Sequence, residues 1–186
     1  MTVALIVVDV QNDFADPGGS LYVGGGEVVA AKLASALAQH DSPGDADVVV
    51  ATRDWHGEHP GTHFDEWPVH CVASTWGAQL YPTLDSWRGF DAYFDKGQTA
   101  AAYSGFEGRS HDGDTLHDFL RKREVADVVV VGLATDYCVR ATALDAVRLG
   151  YRTTLELEFC AGVALETTER AIAEMREHGV AVRESR

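Results

Sequence analysis

Apolar, β-branched runs alternate with segments of a different pattern along most of the chain. The strand-like runs lie at 3–10, 46–53, 91–97, 125–133, 151–158 and 179–183. Three of them, VALIVVDV, ADVVVATR and VADVVVVGL, are almost wholly apolar, which is typical of strands that are buried on both faces. The pattern therefore predicts a sheet that is covered by helices on each side.

Four segments between these runs are predicted to be helices. They lie at 27–40, 114–123, 136–150 and 166–179. Asp114 is a candidate N-cap, while Gly150 and Gly179 are candidate C′ residues that end their helices. The segment 53–90 is rich in Gly, Pro, His and Trp and has little periodicity, so we expect elaborated loops there.

This alternation of strands and helices predicts an α/β fold, a single domain over 1–186 with three αβα layers and a mainly parallel sheet of about six strands. A chain of 186 residues is long enough to bury one full core. Ligands of such sheets bind beyond the carboxyl ends of the strands. Asp9, Asp54, Lys96 and the segment 133–138 all lie at strand ends, so we expect one site at that edge.

The composition limits the binding partners and the cellular compartment that we expect for the protein. The formal net charge of −14 argues against nucleic acid and anionic membranes, because both require a basic face. The N-terminal segment lacks a basic region, and no window is apolar enough to span a bilayer. The three cysteines, Cys71, Cys138 and Cys160, predict reduced thiols in the cytoplasm. The sequence is also compatible with the formation of a homo-oligomer.

Cys138 lies in the stretch GLATDYCVRAT, just after an apolar run. In the first turn of a helix that begins near Asp136, the helix dipole would lower the thiol pKa and make Cys138 a better nucleophile. Free backbone N–H groups at the same turn could hold an oxyanion. The alternative interpretation is a buried cysteine that packs as a small apolar residue.

Asp9 and Lys96 make the catalytic interpretation stronger. A carboxylate that ends an apolar run is expected to be partly buried with a raised pKa, which suits it to accept a thiol proton. Taken alone, Asp9 could instead cap the following turn, and Lys96 could be a solvated turn lysine. Together with Cys138 they form a plausible hydrolytic set at neighbouring strand ends.

The segment TRDWHGEHPGTHFDEWPVHC is dense in histidine. It holds Asp54, His56, His59, His63 and His70. One aspartate with two or three histidines gives nitrogen and oxygen ligands that suit Zn²⁺, Fe²⁺ or Mn²⁺. Asp54 and His56 would face the same side of an extended segment. The alternative is a set of surface histidines in a loop.

Five motifs, in order over nearly the whole chain, resemble those of the nicotinamidases and pyrazinamidases of the isochorismatase-like cysteine hydrolase superfamily. They are ALIVVDVQNDF with Asp9, TRDWH with Asp54 and His56, WPVHC with His70, DKGQTAAAYSGFEG with Lys96, and GLATDYCV with Cys138. The resemblance implies that Asp9, Lys96 and Cys138 are catalytic and that the remaining three residues bind a metal.

The resemblance also implies the rest of the site. His63 is the favoured fourth metal ligand because P-G-x-H-F resembles the pyrazinamidase form of the loop; other members use water or a hydroxyl side chain, and His59 would be a solvated loop residue. Zn²⁺ is favoured over Fe²⁺ or Mn²⁺. A cis peptide before Ala134 would aim its N–H, with that of Cys138, at the oxyanion. The implied substrate-binding residues are Phe14, Leu21, Trp67 and Tyr103.

The function implied by this resemblance is a metal-dependent amidase. It would hydrolyse a small carboxamide, nicotinamide and also pyrazinamide, through a thioester on Cys138. One alternative is a cysteine hydrolase of the same superfamily that acts on a ureido or carbamoyl substrate. The other is a non-catalytic metal-binding module.

Overall fold

The structure is a computed structural model that describes residues 1–39, 41–58, 61 and 63–184. Its strands are β1 (Thr2–Val8), β2 (Val48–Asp54), β3 (Ala92–Lys96), β4 (Val125–Leu133), β5 (Arg152–Ala161) and β6 (Ala181–Arg183). They form one sheet in the order β3-β2-β1-β4-β5-β6, and every neighbouring pair is parallel. The predicted α/β fold with a six-stranded parallel sheet is confirmed.

Helices cover both faces of this sheet. They are α1 (Asn12–Ala15), α2 (Gly26–Ala38), α3 (His63–Glu66), α4 (Pro82–Asp85), α5 (Leu116–Lys122), α6 (Arg140–Arg148) and α7 (Leu165–Glu177). Side chains of β1 alternate between the layers: Ile6 packs with α5, α6 and α7, whereas Leu5 packs with α2 and α4. Within the described ranges, none of the helices is long and apolar enough to cross a membrane.

Several element boundaries differ from the expected ones. The N-cap of α5 is Thr115, whose hydroxyl accepts a hydrogen bond from the Asp118 N–H at 3.1 Å, so the assignment to Asp114 was wrong. Asp114 lies one residue too early to reach that N–H, and it pairs with Lys122 instead. The segment 53–90 contains α3 and α4, which are single turns too short to produce a periodic pattern.

The strand order places a crevice between β1 and β4. From β1 the chain continues through β2 and β3 on one side, and it then crosses to β4 on the other side. Helices leave the two strands toward opposite faces at this reversal, which opens a crevice at their carboxyl ends. Asp9 follows β1 directly and Ala134 follows β4, so both residues border that crevice.

Gly132 permits the close approach of β4 to β1 next to the crevice. It pairs with Val8 and has a φ of +116°, a conformation that side-chain-bearing residues rarely adopt. A Cβ atom at this position would lie 2.1 Å from the Val8 carbonyl oxygen. Only glycine satisfies both the backbone conformation and the spacing here.

Replacing Gly132 by alanine is expected to lower the free energy of unfolding by about 3 kcal/mol, because strain and overpacking add. Gly113→Ala is the matched control, since Gly113 also has a positive φ, +89°, but no atom lies within 4 Å of its added Cβ. It should cost only about 1 kcal/mol. Urea unfolding measures both changes, and equal losses would contradict the close-approach argument.

Candidate active site

The polar residues expected at the strand ends converge at the carboxyl edge of the sheet. Asp54 and Lys96 are the last residues of β2 and β3, where they pair in register. Asp9 follows β1 with a φ of +49°, which turns its side chain away from the strand direction. Oxygen atoms of Asp9 and Asp54 and the sulfur of Cys138 all lie within 4.8 Å of one another.

The Lys96 ammonium lies at the centre of this group and is only 1% exposed. Its Nζ is 2.9 Å from Asp9 Oδ2 and also contacts Asp54 Oδ1. The Ala102 carbonyl oxygen at 3.3 Å and the Cys138 sulfur at 3.7 Å complete its surroundings. One buried cation therefore joins two carboxylates to the thiol.

Charge and burial set the ionisation of these groups. Burial disfavours the ammonium, but Asp54 and Asp9 together raise the pKa of Lys96 well above its usual value. Burial raises the pKa of Asp9, as the sequence predicted, against the opposing effect of Lys96. Thr52 donates its hydroxyl to Asp9 Oδ1 at 2.6 Å and orients that carboxyl group.

Cys138 lies in a π-helical turn, Thr135–Val139, that precedes α6. The Val139 N–H reaches back five residues to the Ala134 carbonyl at 3.2 Å. The peptide between Leu133 and Ala134 is cis, as the resemblance implied. Among the hydrogen bonds of described residues outside the regular helices and strands, none uses the N–H of Ala134, so this donor is available to a ligand.

The direction of the Cys138 pKa differs from the expectation. Burial raises the pKa of the thiol well above its usual value, and the carboxylates of Asp9 and Asp54 add to that rise. These effects outweigh Lys96, which lowers the pKa. The expected lowering by a helix dipole was wrong, because burial and two nearby anions dominate. We therefore expect the thiol to keep its proton at neutral pH, with the Asp9 carboxyl group close to the sulfur.

Three histidine rings face one another beside this group. Nε2 of His63 lies 3.3 Å from Nε2 of His70, while Nε2 of His56 is 3.5 Å from Asp54 Oδ2. The opposite nitrogens are fixed by backbone carbonyls: Nδ1 of His56 donates to Gly97 at 2.7 Å, and that of His70 donates to Pro68 at 2.6 Å. The Nε2 lone pairs of His56 and His70 are thereby directed inward.

The donor set fits a divalent metal ion. The buried Nε2 of His56 has no hydrogen-bond partner among the described residues, although buried polar atoms normally have one. Burial, followed by the neighbouring His56 and His70, lowers the pKa of His63 to about 4, so its ring is neutral at physiological pH. Three imidazole nitrogens and one carboxylate of Asp54 are suitable ligands for Zn²⁺, Fe²⁺ or Mn²⁺. His59 lies outside the described residues.

A cleft opens above both groups. Its lining includes all four residues implied by the resemblance, Phe14, Leu21, Trp67 and Tyr103. The Trp67 indole donates to the Tyr103 hydroxyl at 3.1 Å, and the Phe14 ring lies 5.4 Å from that of His70. The walls are thus largely apolar and aromatic, whereas Cys138 and Asp54 provide polar atoms.

Several further residues that line the cleft were not predicted from the sequence, and Tyr137 and Val163 are two of them. Tyr137 packs edge-on against Trp67 with ring centroids 5.2 Å apart, and Val163, an exposed residue, also lines the cleft. Tyr137 directly precedes Cys138, but regular helical spacing would have turned it away from the cleft. Val163 follows β5, so the same strand-end argument that located Asp9 could have found it.

Comparison with known proteins places these features in context. A sequence profile described as the isochorismatase domain matches residues 3–186. A nicotinamidase/pyrazinamidase of Mycobacterium tuberculosis is 48% identical over 180 residues, covering 93% of this chain and 94% of that protein.

Two solved structures extend the likeness to the fold. The pyrazinamidase of Pyrococcus horikoshii, in complex with zinc, is 38% identical with a TM-score of 0.84 and full coverage of both chains. PnC1 from L. infantum, in complex with nicotinate, is 34% identical with a TM-score of 0.86; the match covers 98% of this chain and 92% of that one.

The raised thiol pKa has a spectroscopic consequence. In metal-free protein, subtracting the ultraviolet spectrum of Cys138→Ser from that of the wild type should show no thiolate absorbance at neutral pH. Absorbance should appear only in the alkaline range, because a group with a raised pKa keeps its proton until higher pH. Cys160→Ser is the control, since burial raises the pKa of Cys160 to about 12. Thiolate absorbance of Cys138 at neutral pH would contradict a raised pKa of this thiol.

Proposed function

The chain belongs to the isochorismatase domain family, and from that premise we propose that it is a metal-dependent amidase that hydrolyses nicotinamide to nicotinate and ammonia. The observation that carries the proposal is the contact of Lys96 with Asp9, Asp54 and Cys138 below an aromatic cleft. This arrangement supplies a nucleophile, a base and a fixed cation for acyl transfer.

The aromatic cleft would hold the pyridine ring of the substrate. Phe14, Trp67, Tyr103 and Leu21 are the proposed ring-binding residues, and Tyr137 closes the same wall. A divalent ion on Asp54, His56, His63 and His70 would accept the lone pair of the ring nitrogen and so orient the ring. The carboxamide would then lie toward Cys138.

Acylation begins with proton transfer from Cys138 to Asp9. The resulting thiolate attacks the carboxamide carbon, and the N–H groups of Ala134 and Cys138 donate to the developing oxyanion. Asp9 passes the proton to the departing amine, which leaves as ammonia, and a thioester forms on Cys138. Lys96 remains an ammonium throughout and stabilises negative charge on either partner.

Deacylation uses the same base. Asp9, again a carboxylate, accepts a proton from a water molecule that attacks the thioester carbon. The tetrahedral intermediate collapses to nicotinic acid, Asp9 returns its proton to the sulfur, and the product releases its own proton to solvent as it becomes nicotinate. The raised pKa of Asp9 suits it to both directions of transfer, because its carboxyl group holds an accepted proton more readily than an ordinary aspartate does.

The finer assignments are proposals of the same kind. Zn²⁺ is the favoured ion because three nitrogens and one oxygen suit its tetrahedral preference. Pyrazinamide, which also carries a carboxamide on a nitrogen heterocycle, is proposed as a second substrate. We also propose that residues 1–186 form one hydrolase domain and that it works in the cytoplasm, consistent with three unpaired cysteines. A homo-oligomer stays a prediction.

Cys138→Ala is expected to lower kcat for ammonia release from nicotinamide by at least about 10³-fold, because the nucleophile is lost. Cys160→Ala removes a sulfur that donates to the Glu156 carbonyl and lies outside the proposed catalytic set, so this variant should retain activity. A coupled ammonia assay measures both variants. Near-normal turnover by Cys138→Ala would exclude a thioester mechanism.

Removal of the metal by a chelator is expected to abolish turnover of nicotinamide and pyrazinamide, and Zn²⁺ should restore it. Fe²⁺ and Mn²⁺ added separately identify the preferred ion, and elemental analysis confirms that the stripped protein is metal-free. A ureido compound tests the alternative substrate class in the same assay. Metal-free protein that hydrolyses nicotinamide at the normal rate would overturn the metal's role.

A further inference from the structure

Three consecutive buried polar residues follow β1 and lie outside the cleft. Gln11 is 0% exposed, Asn12 is 2% exposed and Asp13 is 9% exposed. Burying such side chains is unfavourable unless their polar atoms are hydrogen-bonded. Each one bonds to backbone atoms of other segments, and two of those contacts involve peptides of the proposed metal ligands.

Gln11 holds the backbone of Asp54 from both sides. Its Oε1 accepts from the Asp54 N–H at 2.8 Å, and its Nε2 donates to the Asp54 carbonyl at 2.7 Å. The second Nε2 proton goes to the Ala78 carbonyl at 2.8 Å. The side-chain amide thus acts like a neighbouring strand at Asp54, and it fixes the direction in which that carboxylate leaves the backbone.

Asp13 performs a similar task next to His70. Its Oδ2 accepts from the Cys71 N–H at 2.7 Å, and that N–H belongs to the peptide that joins His70 to Cys71. Gly77 makes room for the contact, because a Cβ there would lie 2.0 Å from Asp13 Oδ2. Asp13 also accepts from the Ser20 N–H at 3.2 Å.

Asn12 differs from its two neighbours in what it touches. Its Nδ2 donates to the Trp76 carbonyl at 2.7 Å, and Trp76 is adjacent to none of the proposed ligands. Like Gln11 and Asp13, Asn12 lies in the turn after β1, is buried and forms a hydrogen bond from its side chain to the backbone of another segment. Asn12 therefore separates the effect of a lost buried hydrogen bond from that of a displaced ligand.

We propose that Gln11 and Asp13 are positioning residues of the metal centre, Gln11 acting through Asp54 and Asp13 through His70. The proposal rests on the proposed metal site. The turn that starts at Asp9 would then support both the catalytic group and the metal centre. Asp9, the proposed base, lies within five residues of Gln11 and Asp13.

Zinc affinity of the folded protein tests the proposal. The dissociation constant for Zn²⁺ is measured by competition with a chromophoric chelator for the wild type, Gln11→Ala, Asp13→Ala and Asn12→Ala, below the melting temperature of each. Gln11→Ala and Asp13→Ala should weaken zinc binding by about 10- to 100-fold, as loss of groups that orient metal ligands does elsewhere. Asn12→Ala should melt earlier but stay within about threefold of the wild-type constant.

The outcomes separate this proposal from the function it rests on. Equal weakening in all three variants, or wild-type affinity in Gln11→Ala and Asp13→Ala, would show a purely structural role. Failure of the wild type to bind zinc, iron or manganese would instead reject the metal site itself.

Two more conservative variants test the proposal if the alanine variants do not fold. Gln11→Glu keeps the acceptor for the Asp54 N–H but loses both donors, so zinc binding should weaken. Asp13→Asn can keep the acceptor for the Cys71 N–H, so its affinity should stay close to that of the wild type. The reverse order of affinities would overturn the proposal.

Discussion

The whole site depends on one buried ammonium group. Lys96 is held between Asp9 and Asp54 at a point that solvent does not reach. Removing an ammonium from water costs several kcal/mol, and only close, opposite charges offset that cost. Two carboxylates exceed one ammonium in charge, so the group as a whole remains anionic. That excess favours a second positive charge on the far side of Asp54, where the three histidine rings converge.

Asp54 therefore belongs to two centres. One of its oxygens contacts Lys96, and the other faces His56 and His70 at 3.5 and 3.7 Å. Lys96, with His56 and His70 close by, holds the pKa of Asp54 well below its usual range despite its burial. It is a permanent anion that links the ammonium to the imidazoles. The two halves of the site are electrostatically one unit, even though their residues come from segments that are far apart in the sequence.

Much of the fold and the position of the site could be predicted from the sequence. The apolar runs predicted the strands because doubly covered strands need no polar face, and the strand-end argument located Asp9, Asp54, Lys96 and Cys138 at one edge. The π-helical turn around Cys138 could not be predicted, since its pattern within five residues is indistinguishable from an α-helix. The thiol pKa could not be predicted either, because its direction depends on distances to two carboxylates. Tyr137 and the backbone contacts of Gln11 escaped prediction for the same reason: both depend on which distant segments pack together.

The central position of β1 has a consequence for how the protein is made. Residues 2–8 leave the ribosome before both of their partner strands, one of which lies at 48–54 and the other at 125–133. Until translation reaches that point, the growing chain carries an apolar strand with one open edge, which is a template for association with other chains. The nascent protein therefore has the greatest need for chaperone protection during synthesis of its middle third, well before any catalytic group can be assembled.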